Sequence, residues 1–268
     1  MEQLRGWRRV ASAIWSAPSD PQIYGSLDVE ATALVRFVER VRAAGHHVTP
    51  THLVGRAVAR ALAAVPDLNV RILGTRAIRR RSVDIFFITA IKSGHDLSGV
   101  KVRGVDSRSA IDVAAELASR AERLRAGRDP EFARTKAMTD RLPRPLLRLA
   151  LGATRLVTET LDLDVPPLGL HANPFGSAMI TSVGMFGLPQ GYAPIAWLYG
   201  VPLVVLVGEI EERAVVVDHQ VVARPVLPLG ATIDHRFVDG WHVSKAVASL
   251  REYLAAPERF EPRPEESG

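Results

Sequence analysis

The chain has 268 residues, 47% of them hydrophobic and 24% charged, with a net charge of +5 and no cysteine. This balance supports a sizeable folded core and excludes a disordered chain, and without thiols there are no disulfides, cysteine nucleophiles or Cys-based metal sites. Arg greatly outnumbers Lys, yet the one tight basic run, "RAIRRR" (76–81), has no aromatic residues interleaved for base stacking, which leaves nucleic-acid binding a distant third reading.

The opening "MEQLRGWRRVASAIWSAP" lacks the unbroken apolar stretch and small-residue cleavage site of a signal peptide. It reads as mature sequence. "GSLDVEATALVRFVERVRAAG" begins as an alternating strand and passes into a helix with Leu34, Val35, Val38 and Val41 on one face and Gly45 as C-cap. Residues 53–65 form an Ala-rich helix that stops before Pro66. "NVRILG" and "AIRRRSVDIFFITAI" read as a pair of strands, and Ser109 caps a helix with Asp112 at N3 and Gly127 at its end.

From Arg128 to Gly176, two sequential helices are expected between prolines. In the second, Arg144, Arg148, Arg155 and Glu159 share a stripe while Leu147, Leu151 and Leu161 lie elsewhere. That pattern predicts an ordinary helix packed on a core ahead of one lying on a membrane surface. "SAMITSVGMFG", "PLVVLVGEI" and "RAVVVDHQVVARPVLPLGATIDH" read as strands, the last with a hairpin turn near Asp218 and His219. "APIAWLYGVPLVVLVG" is too short to span a bilayer, so a soluble, cytoplasmic protein is expected. "GWHVSKAVASLREYLAAP" closes the chain as a helix. The order predicts the α/β class: an α+β sandwich, one largely antiparallel mixed sheet with helices packed on it, in a single domain over 1–268.

Two short stretches carry chemistry. In "ATIDHRFVDGWHV", His235 sits where a core strand turns into a helix, the place where a side chain is held by the scaffold yet reaches a cleft. A neutral imidazole with a pKa near ~6.5 takes a proton from a thiol or hydroxyl. Asp239 follows four residues later, placed to fix the turn through an ion pair, and Gly240 is expected to supply a backbone shape or close approach that other residues resist. On this spacing alone a plain polar turn with a satisfied histidine is the favoured reading. In "MITSVGMFG", Thr181 and Ser182 end a strand just before Gly184, where a hydroxyl can donate to a developing oxyanion. No G-x-S-x-G elbow makes either a nucleophile. No histidine pair has metal-ligand spacing, so no metal is expected.

Together these stretches resemble the catalytic domain of the dihydrolipoamide acyltransferase (E2) of 2-oxo acid dehydrogenase complexes, within the chloramphenicol acetyltransferase-like superfamily. "DHRFVDG" (234–240) matches the D-H-R-x-x-D-G motif at every fixed position, Arg236 included, and "MITSVGMFG" lies about fifty residues upstream, as that family's T-I-S-N-L-G-like strand end does. The resemblance implies an acyltransferase in which His235 is the general base and Thr181, or Ser182 one position on, the oxyanion donor. Asp239 would hold the turn by an ion pair, with Arg9 of "LRGWRR" as partner. It implies coenzyme A or acyl-CoA as substrate, a thiol such as dihydrolipoamide or a hydroxyl as acceptor, and a homotrimer with the site between subunits. A lipoyl-bearing protein is a further implied partner. Against the family pattern, residues 130–172 form a helical insertion, "SGHDLSGVKVRG" replaces the channel segment G-L-L-V-P-V-V, and lipoyl and peripheral-subunit-binding domains are missing. The reading is therefore a free-standing acyltransferase; the alternative is a catalytically idle trimer that acts as a scaffold or binds acyl-CoA.

Overall fold

The computed structural model describes residues 20–73, 76–91, 96–125, 143–196 and 198–262. Strand alternation organises it. In β4 (Ile85–Ile91), Ile85 and Phe87 face one layer while Phe86 and Ile88 face the other, and in β6 (Ala178–Ser182) Ala178 and Ile180 oppose Met179 in the same way. With β1 (Gln22–Glu30), β5 (Asp96–Val102), β7 (Leu203–Val207), β8 (Glu211–Val217) and β9 (Gln220–Asp234), these strands form one seven-stranded sheet. Its order is β1-β9-β7-β6-β4-β5, with β8 paired to the first half of β9. Only the β4–β6 and β6–β7 pairs are parallel, so the largely antiparallel sheet of the expected sandwich is present. Asp218 and His219 both take positive φ (49° and 64°), the backbone that a two-residue hairpin between β8 and β9 requires.

One face of the sheet is covered by α1 (Thr32–Ala43), α2 (Pro50–Ala64), α3 (Ala110–Arg125) and α5 (Gly240–Ala255). In α1 the buried stripe is Leu34, Phe37, Val38 and Val41; Phe37 replaces the expected Val35, which is only partly buried. The Ala-rich composition of α2 lets it lie close on the sheet. A Cβ on Gly55 would stand 2.4 Å from the Phe87 ring, so any larger residue there pushes helix and sheet apart. The start of α3 is closed by a reciprocal pair, Asp112 N donating to Ser109 Oγ (3.1 Å) and Ser109 N to Asp112 Oδ2 (3.2 Å). On the other face of the sheet, Met179, Val201 and Val204 pack with Phe175, Ile195 and Tyr199.

Two expectations are corrected, and one stretch gains an element. "AIRRRSVDIFFITAI" is not one strand: β3 (Arg76–Arg79) pairs only with β2 (Val70–Leu73) in a separate two-stranded sheet. The chain leaves it at Arg80, whose guanidinium turns into a buried pair with Glu159, and Asp84 accepts from Ser82 Oγ and Gly104 N. "SGHDLSGVKVRG", read only for its departure from a channel motif, contributes β5, at the sheet edge. In the insertion, α4 (Arg144–Arg155) leaves Leu146 and Leu149 53% and 71% exposed; of the expected apolar set, Leu147 and Leu151 are only half-buried and Leu161, beyond the helix, is exposed. The other expected insertion helix, Gly127 and Arg9 fall outside the described residues. Among the described residues no helix is long and apolar enough to cross a membrane.

A buried carboxylate ties the helices together. Glu261 Oε1 accepts from Arg56 Nε (2.9 Å) and the Tyr253 hydroxyl (2.6 Å), while Oε2 accepts from Ala110 N (2.5 Å). Burial, reinforced by the Glu261 charge, pushes the Tyr253 hydroxyl pKa far up. Removing one partner of a buried ion pair strands the other. Glu261→Ala is therefore expected to cost roughly 3–5 kcal/mol in urea unfolding, with Glu261→Gln milder.

His52 gives a pH signature. Burial, with Arg42 adding repulsion, lowers its pKa from 6.5 to about 4, and its Nδ1 accepts from Thr49 N at the start of α2 (3.1 Å). Above pH 6.5 the ring is neutral whether folded or not. Between 6.5 and about 4 only the unfolded chain takes the proton, so stability falls with pH by on the order of 3 kcal/mol. His52→Gln keeps an acceptor at N3 and should flatten that loss in melts between pH 7 and 4.

Candidate functional site

The turn "DHRFVDG" is fixed from four directions. β9 ends at Asp234, whose N–H donates to Pro202 O (2.9 Å); the next N–H, of His235, donates to Pro21 O (2.9 Å), just before β1. The Asp234 carboxylate is 3% exposed and is bound by Arg236 through its backbone N (3.0 Å) and Nε (3.0 and 3.1 Å). These hydrogen bonds also raise the Arg236 pKa. Phe237 N returns to Asp234 O (3.0 Å). The His235 side chain projects from this clamped backbone and is exposed, and no described part of the insertion covers it.

Asp239 has a structural role that the sequence reading did not anticipate. It is the N-cap of α5: Oδ1 accepts from Trp241 N (3.0 Å) and His242 N (3.2 Å) and stands 2.7 Å from His242 Nδ1. The His242 backbone N–H, then its ring, hold the Asp239 carboxyl below the usual range. Among the described residues no arginine pairs with it, and the proposed partner Arg9 lies outside them. Gly240 opens α5 without a positive φ, and a Cβ there would meet nothing within 4 Å. Neither special role expected of it is seen within one chain. His242 was missed in the sequence; the signal was an N-cap Asp followed three residues later by a side chain able to close the cap, as in Thr49-x-x-His52.

Thr181 and Ser182 end β6, half-buried, before a tight turn over Gly184–Phe186. Alternation puts Thr181 on the face of Met179 and Ser182 on the helix-covered face. A Cβ on Gly184 would stand 2.6 Å from Gly208 O, so glycine is required for the turn to close against the β7 exit.

Register keeps Thr181 and His235 apart within one chain. Thr181 pairs with Leu206, which pairs with Gly230 of β9. His235 lies five residues past Gly230, about 17 Å along the strand and two strands (about 10 Å) across.

Behind the turn lies a cleft of about 350 Å³ bounded by Asp20, Gln22, Arg71, Glu159, Asp234 and Arg236. The insertion reaches it through a wide helical turn (Leu156–Thr160) that buries Glu159 3.6 Å from Arg80. Burial raises the Glu159 pKa and lowers that of Arg80, each opposing the charge the other stabilises. The sequence stripe had placed Glu159 with exposed arginines; only tertiary structure reveals Arg80 as its partner.

Comparison with known proteins decides the family. Residues 2–131 and 171–261 match the family model of the 2-oxoacid dehydrogenases acyltransferase (catalytic domain). The chain belongs to this family. Among curated relatives, it is 34% identical over 92 residues to the probable dihydrolipoyllysine-residue succinyltransferase component of the 2-oxoglutarate dehydrogenase complex, mitochondrial, of Schizosaccharomyces pombe, covering 32% of this chain and 18% of that protein. It is likewise 34% identical over 84 residues to the dihydrolipoyllysine-residue acetyltransferase component of the pyruvate dehydrogenase complex of Bacillus subtilis, covering 31% and 18%. The matched stretches thus span about a fifth of these relatives' own length. In fold, the chain is similar to a probable dihydrolipoamide acetyltransferase from Listeria monocytogenes (TM-score 0.66, 21% identity, covering 97% of this chain and 95% of that one). It is also similar to the truncated catalytic core of the 2-oxoacid dehydrogenase multienzyme complex from Thermoplasma acidophilum (TM-score 0.62, 20% identity, 96% and 98% covered).

The Gly184 contact yields a test. Gly184→Ala must displace backbone at Gly208, so it is expected to lower the melting temperature, by an overpacking cost of about 1–3 kcal/mol, while Gly240→Ala leaves it nearly unchanged.

Proposed function

We propose that this chain is a coenzyme A-dependent acyltransferase whose sites are completed between copies, in a homotrimer. His235 is the general base. It takes the proton from the thiol of coenzyme A or of a dihydrolipoamide-like acceptor, or from an acceptor hydroxyl, and the resulting anion attacks the thioester carbonyl carbon of the donor. Thr181 of a neighbouring copy donates its hydroxyl hydrogen bond to the tetrahedral oxyanion. Collapse expels the other thiolate, which recovers the proton from the imidazolium. Asp234, Arg236 and Asp239 act on the backbone: the first two clamp the turn, the third caps the helix that follows it.

The observation that carries this reading is the pairing of an exposed histidine on a clamped turn with a hydroxyl some five residue rows away. Each is held by its own scaffold, and among the described residues of one chain the two stand far apart. That arrangement suits a site assembled across an interface and has no evident use in an isolated subunit. A lipoyl group on another protein fits the thiol-acceptor role, in line with the names of the curated relatives.

The test is acyl transfer from acetyl-CoA and longer acyl-CoAs to free dihydrolipoamide, followed by release of coenzyme A. His235→Ala should lower kcat by at least 10²-fold, in the range of general-base removal, and Thr181→Ala by about 10²–10³-fold. Full activity in His235→Ala would sink the mechanism, and no transfer from any donor would leave the scaffold reading.

A further inference from the structure

The layer between the sheet and its helices is not filled everywhere. A slot of about 190 Å³ lies between β1, β7 and β9 on one side and α2 and α5 on the other, walled by Ala61, Leu203, Ala231, Ile233, Ala246 and Leu250 among other aliphatic side chains. Packed interiors rarely leave voids much larger than one water. This one is far larger and opens on one side, and its almost wholly apolar walls offer water few partners. Alanines stand at three of the positions where a longer aliphatic side chain would close it.

Its position relates it to His235. The inward face of β9 presents Leu229, Ala231 and Ile233 to the slot, at every second residue. His235 follows two residues after Ile233, about 7 Å further along the chain, and Val238, just beyond the catalytic turn, closes the same end. The apolar wall therefore ends at Ile233 and Val238, the residues that flank the turn carrying the proposed base.

We propose that this slot receives the hydrocarbon chain of a medium-chain acyl group, methyl end inward, with its thioester carbon left at His235. The proposal rests on the acyltransferase reading and names its donor class. An apolar cavity of about 150 Å³ holds a six-carbon ring; by that scale this slot takes about eight carbons. Branched or aromatic acyl groups fit a narrow gap between sheet and helices less well than an unbranched chain.

Calorimetric titration of the full chain with coenzyme A, acetyl-, butyryl-, octanoyl- and palmitoyl-CoA tests this directly. Affinity should rise by up to about fourfold per methylene as far as octanoyl, and then level off. Ala246→Leu, which narrows the slot from α5, should abolish the gain between butyryl and octanoyl. An octanoyl-CoA carrying a terminal diazirine should label peptides containing Ile233 or Ala246 in the unaltered protein, which keeps the test open if the variant folds poorly. Chain-length-independent binding overturns the proposal; it is the result expected if residues 1–19 or a second copy fill the slot. So does a gain that survives in Ala246→Leu, or labelling elsewhere. A chain-length gain without transfer to any acceptor upholds the slot and removes the acyltransferase reading, so the two failures are distinguishable.

Discussion

The helical layer depends on the Glu261 carboxylate. A charge 8% exposed is costly to bury, and it is tolerated here because Arg56, Tyr253 and Ala110 N occupy its lone pairs together. Those partners come from α2, α5 and the start of α3, so one group at the end of the chain sets how three helices sit on the sheet. The position of α5 in turn decides two features of the candidate site and its surroundings. Its first turn, capped by Asp239, fixes where the His235 turn ends, and its inner face forms one wall of the apolar slot.

β9 is the second organising element. Its fifteen residues pair with β8 first, then with β1 on one side and β7 on the other, as far as Asp234. A strand bonded on both edges over its last turns is stiff, and the residue following it inherits that stiffness. This explains how an exposed imidazole stays aimed: its backbone is bonded to Pro21, and the residue before it to Pro202 and Arg236. The insertion acts from behind, its Glu159 joined to Arg80 and lining the cleft, so a segment outside the family match is built in behind the "DHRFVDG" turn.

The candidate-site stretches were legible because their chemistry is local. "DHRFVDG" and "MITSVGMFG" each place polar residues at strand ends in a few consecutive letters, and the mixed sheet followed from alternation. What was not legible depends on partners distant in the chain. The break at Arg80 is set by Glu159, 79 residues later, and nothing in "AIRRRSVDIFF" announces it. The leucines of α4 look like core residues because periodicity reports an apolar face without saying what covers it. The unfilled slot is hidden for the same reason: alternation says that Ala231 points inward but not that the space opposite it is empty. Asp239's cap was legible but overlooked, since the pattern Asp-x-x-His at a helix start already contained it.

The offset between Thr181 and His235 has a genetic consequence. Where each site draws its base from one chain and its hydroxyl donor from the next, a lesion belongs to a chain but its effect belongs to an interface. A chain lacking His235 spoils one site of a trimer and leaves its own Thr181 to serve another. Two alleles, each silent alone because one lacks the base and the other the donor, would restore intact sites when coexpressed, whereas both lesions on a single allele would never be rescued by either. Dominance and complementation in this protein would then follow from five residues of strand register.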